Sequence, residues 1–145
     1  MTAYKTLDDL DPAGRRVLLR VDLNVPMQDG QVTDATRIER AAPTIRELVH
    51  RGARVVVLSH FGRPKGRREP SMSLKPLTGP LSEALGGTAV RFANDCIGAA
   101  AVSVVSSLGD SDVALLENLR FHPGEEANDP DFAGALAALG DVYVD

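Results

Sequence analysis

A single cysteine, Cys96, in 145 residues rules out an intrachain disulfide. It reads as a reduced thiol, a small core residue rather than a nucleophile. No run approaches 18 apolar residues, and the N-terminal MTAYKTLDDLD has no apolar segment, so neither a membrane span nor a secretory signal is expected. Positive charge is also short. Sixteen Lys and Arg against twenty Asp and Glu leave a net charge of −4. General nucleic-acid affinity is therefore not expected, and any anion site must be a local patch. These absences describe a soluble, cytoplasmic chain with neither a nucleic acid nor a membrane as partner. Familiar catalytic motifs are equally scarce: there is no GxxxxGKS/T, no GxGxxG after a strand and no GxSxG. The three histidines, His50, His60 and His122, are dispersed without Cys or carboxylate at ligand spacing, so no metal site is expected. The acidic run Glu125-Glu126-Ala127-Asn128-Asp129 reads as entry to a helix rather than as a metal cage.

What is present is an ordinary globular composition, 43% hydrophobic and 25% charged, long enough for one domain burying about two-thirds of its unfolded surface. Short β-branched runs alternate with helical periodicity. Residues 17–23, 54–58, 88–92, 112–116 and 141–144 read as strands. Residues 36–51 form one apolar face through Ile38, Ala41, Ala42, Ile45, Leu48 and Val49, with Thr33 or Asp34 to cap the helix and Gly52 to stop it. Pro43 is expected to kink it or to lie near its first turns. Further helices are expected over 73–85, where Pro76 fits the first turn and Pro80 fits poorly, over 98–108, and from the cap Asp129 and Pro130 to Leu139. This alternation predicts an α/β fold with right-handed crossovers, an open three-layer Rossmann-like sandwich with a mostly parallel sheet.

Ligands of open α/β sheets bind beyond the carboxyl ends of the strands. There the sequence places Asp22, Asn24 and Pro26 after strand one. His60, Gly62, Arg63 and Lys65 follow strand two, and Glu117, Asn118, Arg120 and His122 follow strand four. Strand three leads to Asn94-Asp95-Cys96, with no cation. Three loops thus bring arginines and amides to one edge, an anion site by composition. Arg37 adds a cation in the first turn of a helix, where the macrodipole disfavours it by a few tenths of a kcal/mol up to about 1 kcal/mol. An incoming anion explains its position; an ion pair with Asp34 or Glu39, or simple solvation, explains it too. Arg20 interrupts an apolar strand on the same face as Asp22, consistent with ligand contact or a buried Arg–Asp pair. Around Arg63, Gly62 and Pro64 set the backbone, and a planar guanidinium suits phosphate or carboxylate. His60 is open between ligand contact and a satisfied core histidine. Lys65, Arg67 and Arg68 are expected to raise the local potential and do little else.

Three stretches, RVDLNVPMQDGQVTDATRIERAAPTI, SHFGRPKG and LLENLRFHPGEEANDP, resemble the phosphoglycerate kinase family, in family order, from about residue 5 to the last residue. The resemblance implies that residues 1–145 are an N-terminal substrate-binding domain, incomplete at its C-terminus and without the nucleotide-binding domain. It implies a basic patch for 3-phosphoglycerate or 1,3-bisphosphoglycerate made by Asp22, Leu23, Asn24, Arg37, His60, Phe61, Gly62, Arg63 and Arg120, with Arg20 nearby. Arg37 is the catalytic candidate, facing both the substrate carboxyl group and the transferring phosphoryl. Mg-ATP or Mg-ADP is implied for the full-length enzyme, a glycolytic monomer, with no cofactor held by this chain. After Tyr143-Val144-Asp145 the family continues with a VNDAFG-like segment, so the chain alone is expected to be inactive. A non-catalytic anion-binding or self-associating fragment is the alternative.

Overall fold

The structure, a computed structural model, describes residues 2–4, 12–29, 31–62, 64–126 and 129–144. The elements are β1 (Thr2–Tyr4), β2 (Arg16–Arg20), β3 (Met27–Gln28), β4 (Gln31–Val32), α1 (Thr36–His50), β5 (Arg54–Leu58), α2 (Thr78–Ala84), β6 (Val90–Ala93), α3 (Gly98–Ser106), β7 (Val113–Leu116), α4 (Pro123–Glu126), α5 (Pro130–Ala137) and β8 (Val142–Val144). Single 3-10 turns occupy Pro70–Met72, Lys75–Leu77 and Leu119–Phe121.

Six strands form one sheet in the order β1-β8-β2-β5-β7-β6, and every pair in it is parallel. Residues two apart in a strand share a face, and here that parity sorts the core into two clusters. Val17, Leu19, Val55, Val57, Val113 and Leu115 face one layer with Ile38, Ile45 and Leu48 of α1 and Leu81 of α2. Leu18, Val56, Leu58, Ala114 and Leu116 face the other with Ala101 and Val105 of α3 and Phe132 of α5. Two covered faces explain why β5 and β7 are near-continuous apolar runs. The three-layer α/β reading is correct. Among the described residues no helix is long and apolar enough to cross a membrane.

The differences from the sequence reading lie at boundaries. Strand one ends at Arg20 rather than at residue 23. The Val21 N–H still donates to the Leu58 carbonyl (3.0 Å), but the Leu23 N–H turns to Ser59 Oγ (3.0 Å), so the chain leaves the ladder. The expected helix over 73–85 shortens to α2 behind two 3-10 turns. Pro80 then falls in the first turn of α2, where its missing N–H costs no intrahelical bond. α1 instead carries Pro43 in its interior and runs on through it. Residue 43 is exposed and occupies the solvent side, opposite Ile38, Ala42, Ile45 and Leu48. Asp34 does stabilise the start of α1, accepting from the N–H and hydroxyl of Thr36. Thr33 instead donates its hydroxyl to the Pro26 carbonyl. Asp129 caps α5 through the Asp131 N–H (3.0 Å), as expected. Neither β1 nor the β3–β4 hairpin was anticipated, because strands of three and two residues carry no readable alternation. At the entry to β8, Gly140 admits no side chain: a Cβ there would lie 2.5 Å from Leu18 Cγ.

Candidate functional site: an arginine and amide edge

All four loops leaving β2, β5, β6 and β7 emerge at the carboxyl edge of the parallel sheet. They are joined by side-chain amides and carboxylates rather than by packing alone. Asn24, after β2, accepts the Gly62 N–H at Oδ1 (3.0 Å), and its own carbonyl accepts from Arg37 Nη1. The Asn24 N–H is held by Asp22 Oδ1 (2.9 Å), while Asp22 Oδ2 lies 3.5 Å from Arg37 Nε. Arg37 therefore pairs with Asp22, not with Asp34 or Glu39. Its guanidinium stays 47% exposed beside a cleft of about 400 Å³ lined by Val21, Asp22, Arg37, Arg40, Ala41 and Thr44. A cation already anchored by a backbone carbonyl needs little reordering to meet an anion.

Asn118 organises the other half. It is completely buried, and its carboxamide uses both donors and both acceptor positions. Nδ2 donates to the carbonyls of Phe61 (2.6 Å) and Met72 (3.0 Å); Oδ1 accepts the N–H groups of Phe61 (3.3 Å) and Arg120 (3.0 Å). One side chain thus fixes the His60–Gly62 backbone relative to Arg120. Glu117 is also buried and accepts from Ser73 Oγ (2.6 Å) and the N–H groups of Leu74 (2.8 Å) and Asn118 (2.9 Å). Sequence placed both in the loop after strand four but gave neither a contact of its own, although both follow an apolar strand directly, the position where a buried polar residue must have partners.

The expected site residues are thus distributed as follows. Leu23 is wholly buried and contributes backbone only. Phe61 packs against the α1-side core, leaving its backbone to Asn118. Gly62 has φ 63°, in the left-handed region that favours glycine, and a Cβ there would meet the Met72 sulfur at 3.0 Å. Arg63 lies outside the described residues. His60 is half-buried; burial, then the charges of Arg120 and Arg20, lower its pKa from the ordinary value, so it is neutral at pH 7. Arg20 pairs with Glu125 (2.6 Å) rather than with Asp22, because the strand ends before Asp22 can share its face. Arg120 Nε donates to the other oxygen of the same carboxylate (3.3 Å). Arg68 is more than a source of potential. It donates to the Asn94 carbonyl, lies over the Phe121 ring (5.7 Å) and approaches Glu117 (4.0 Å). Lys65 and Arg67 are exposed.

Glu125 is only 10% exposed between the two arginines. Burial alone would raise its pKa, but the hydrogen bond and charge of Arg20 and then Arg120 outweigh it and hold the carboxyl below the ordinary glutamate value. A depressed folded-state pKa stabilises the fold above the unfolded value of about 4.3, and that stability is lost as pH falls through the folded value. Glu125→Gln is expected to cost about 1 kcal/mol or more at pH 7. The gap from wild type should close on acidification below about pH 4, read by urea unfolding at both pH values. A pH-independent gap would contradict this coupling.

The loop after β6, which sequence set apart, also joins this edge. Arg68 reaches Asn94, and Asp95 Oδ1 lies 2.6 Å from His122 Nε2. Cys96 is buried; burial, then the Asp95 charge, push its thiol up to about 12, so it is a core residue and no nucleophile.

The phosphoglycerate kinase family model matches residues 7–145. A phosphoglycerate kinase of Methylorubrum extorquens is 63% identical over 145 residues, 99% of this chain and 36% of the relative. One of Sinorhizobium medicae is 62% identical over 142 residues, 97% of this chain and 35% of the relative. Among solved structures, phosphoglycerate kinase from Coxiella burnetii superposes with a TM-score of 0.83 at 36% identity, over 96% of this chain and 34% of that one. The enzyme from Pyrococcus horikoshii OT3 gives 0.83 at 34% identity, over 98% and 36%. The chain spans about a third of the length of these relatives. With the sheet, the linked loops and the matched motifs in agreement, the chain belongs to the phosphoglycerate kinase family.

Proposed function

We propose that residues 1–145 are the N-terminal substrate-binding domain of a cytoplasmic, glycolytic phosphoglycerate kinase, holding 3-phosphoglycerate or 1,3-bisphosphoglycerate at the arginine and amide edge. The observation that carries the reading is the continuous linkage Arg37–Asn24–Gly62 and Phe61–Asn118–Arg120, which holds cations and backbone N–H groups from three loops in one arrangement. In the ATP-consuming direction an ionised substrate carboxylate oxygen forms a bond to the γ-phosphorus, and the bond from phosphorus to the ADP oxygen breaks. No proton moves, so no general base is required, which fits the neutral, half-buried His60. What the reaction needs is alignment and stabilisation of spread negative charge. Arg37 is placed to meet the carboxyl and the transferring phosphoryl. Arg63 and Arg120 hold the remote phosphate.

Magnesium takes oxygen ligands. Among the described residues the one converging group of His, Cys, Asp and Glu is Asp95, Cys96 and His122, a poor match to that ion. We therefore assign Mg-ATP and Mg-ADP to a C-terminal nucleotide domain, within the part of the relatives that this chain does not span, in a monomeric enzyme. The chain by itself is expected to show no ATP turnover. Titration of the 15N-labelled chain with 3-phosphoglycerate is expected to shift the amides of Arg37, His60, Gly62, Arg63 and Arg120 together. Equal response to inorganic sulfate would favour a non-catalytic anion module, and no response, with concentration-dependent association, a self-associating fragment.

A further inference from the structure

Among the described residues, one group of side chains has metal-binding character, at the end of the edge where Arg68 reaches the loop after β6. Asp95, Cys96 and His122 each offer one donor atom, and these atoms lie within 4.8 Å of one another. They come from the loop after β6 and the turn after β7, 26 residues apart between Cys96 and His122, which is why sequence spacing gave no sign of them. Cys96 is fully buried, and its thiol has no hydrogen-bond partner among the described residues. The His122 ring is oriented twice, by Asp95 at Nε2 (2.6 Å) and by Phe132, whose centroid lies 5.4 Å away. Asp95 and His122 are 32% and 29% exposed. A cleft of about 310 Å³, lined in part by Ile97, His122, Pro123 and Gly124, opens beside the imidazole. Asp95 and His122 are therefore open to a cation from solvent, with the buried Cys96 sulfur within 4.8 Å of their donor atoms.

We propose that Asp95, Cys96 and His122 form a binding site for a soft divalent cation of the zinc class. Thiolate and imidazole select such ions over magnesium or calcium, which take all-oxygen cages. Metal–ligand bonds of about 2.0–2.3 Å separate tetrahedral donors by about 3.3–3.8 Å, within the span of the cluster. The Asp95–His122 pair, at 2.6 Å, must open by about 1 Å as the cation takes the place of the proton between them. The Cys96 S–H bond gives way to a metal–sulfur bond and its proton leaves to solvent; the proton shared by Nε2 and Asp95 is exchanged through solvent for one on Nδ1, which frees Nε2 for the metal. Water completes the tetrahedron as the fourth ligand. Because His122 lies two residues beyond Arg120, an occupied site ties the loop after β6 to the segment carrying that arginine.

The test is a titration of the tag-free chain with Co²⁺ in a non-chelating reductant. A sulfur-to-cobalt charge-transfer band in the near ultraviolet should saturate at one equivalent and bleach when Zn²⁺ is added. Cys96 is the chain's sole thiol, so the band itself reports its ligation. Cys96→Ser should abolish the band. Asp95→Asn and His122→Gln, at partly exposed positions and checked for folding by circular dichroism, should each weaken binding by at least about tenfold, since even partners behind a ligand carry that much. His50→Gln should leave the titration unchanged. Absence of the band at one equivalent overturns the proposal, as does a band of unchanged affinity in a folded His122→Gln variant.

Discussion

Asn118→Leu is expected to destabilise the chain by about 2–4 kcal/mol, although leucine matches asparagine closely in volume. The apolar replacement removes the carboxamide's hydrogen bonds to four backbone groups, the N–H of Phe61 and Arg120 and the carbonyls of Phe61 and Met72. Each buried unsatisfied group costs about 1–3 kcal/mol, and partial access to water at these half-exposed residues keeps the total below the sum. Urea unfolding should show a lower midpoint at unchanged slope. Amide exchange at Phe61 and Arg120 should accelerate more than at β5 core positions such as Val56, because the loop loosens before the sheet does. A loss below about 0.5 kcal/mol would mean that the loops hold one another without the carboxamide.

The second large effect concerns activity in a full-length enzyme carrying this domain. Arg37→Ala is expected to lower turnover by a factor of about 100–1,000, equivalent to about 2.7–4 kcal/mol of barrier, as for loss of one preorganised donor at developing charge. Arg37→Lys should recover little of it, since an ammonium lacks the planar fork that can hold the Asn24 carbonyl and an anion together. Arg63→Ala should instead raise the substrate KM more than it lowers kcat. If Arg37→Ala changed KM alone, Arg37 would be a binding residue and the division of roles would fail.

Much of this was legible in one dimension. Alternating strand and helix periods specified the parallel α/β fold, because burial on both faces forces near-continuous apolar strands such as residues 54–58. Those strands in turn located the loops where ligands collect. The family resemblance then marked Asp22, Asn24, Arg37, His60, Gly62, Arg63 and Arg120 as candidate substrate contacts, a reading that the structure leaves as a proposal. Partners were not legible, since an ion pair depends on distances that two-residue differences in strand length change. Ending β2 at Arg20 sent that arginine to Glu125 and freed Asp22 for Arg37. Parallel register brought Asn118 beneath Phe61, 57 residues earlier, and brought His122 to Asp95 and Cys96. The sequence by itself determined the fold class, the core and the chemical character of the edge, through short-range periodicity and residue type. Which cation meets which carboxylate, and which buried amide holds the loops, was decided by the tertiary structure alone, because such contacts join residues whose separation along the chain carries no signal.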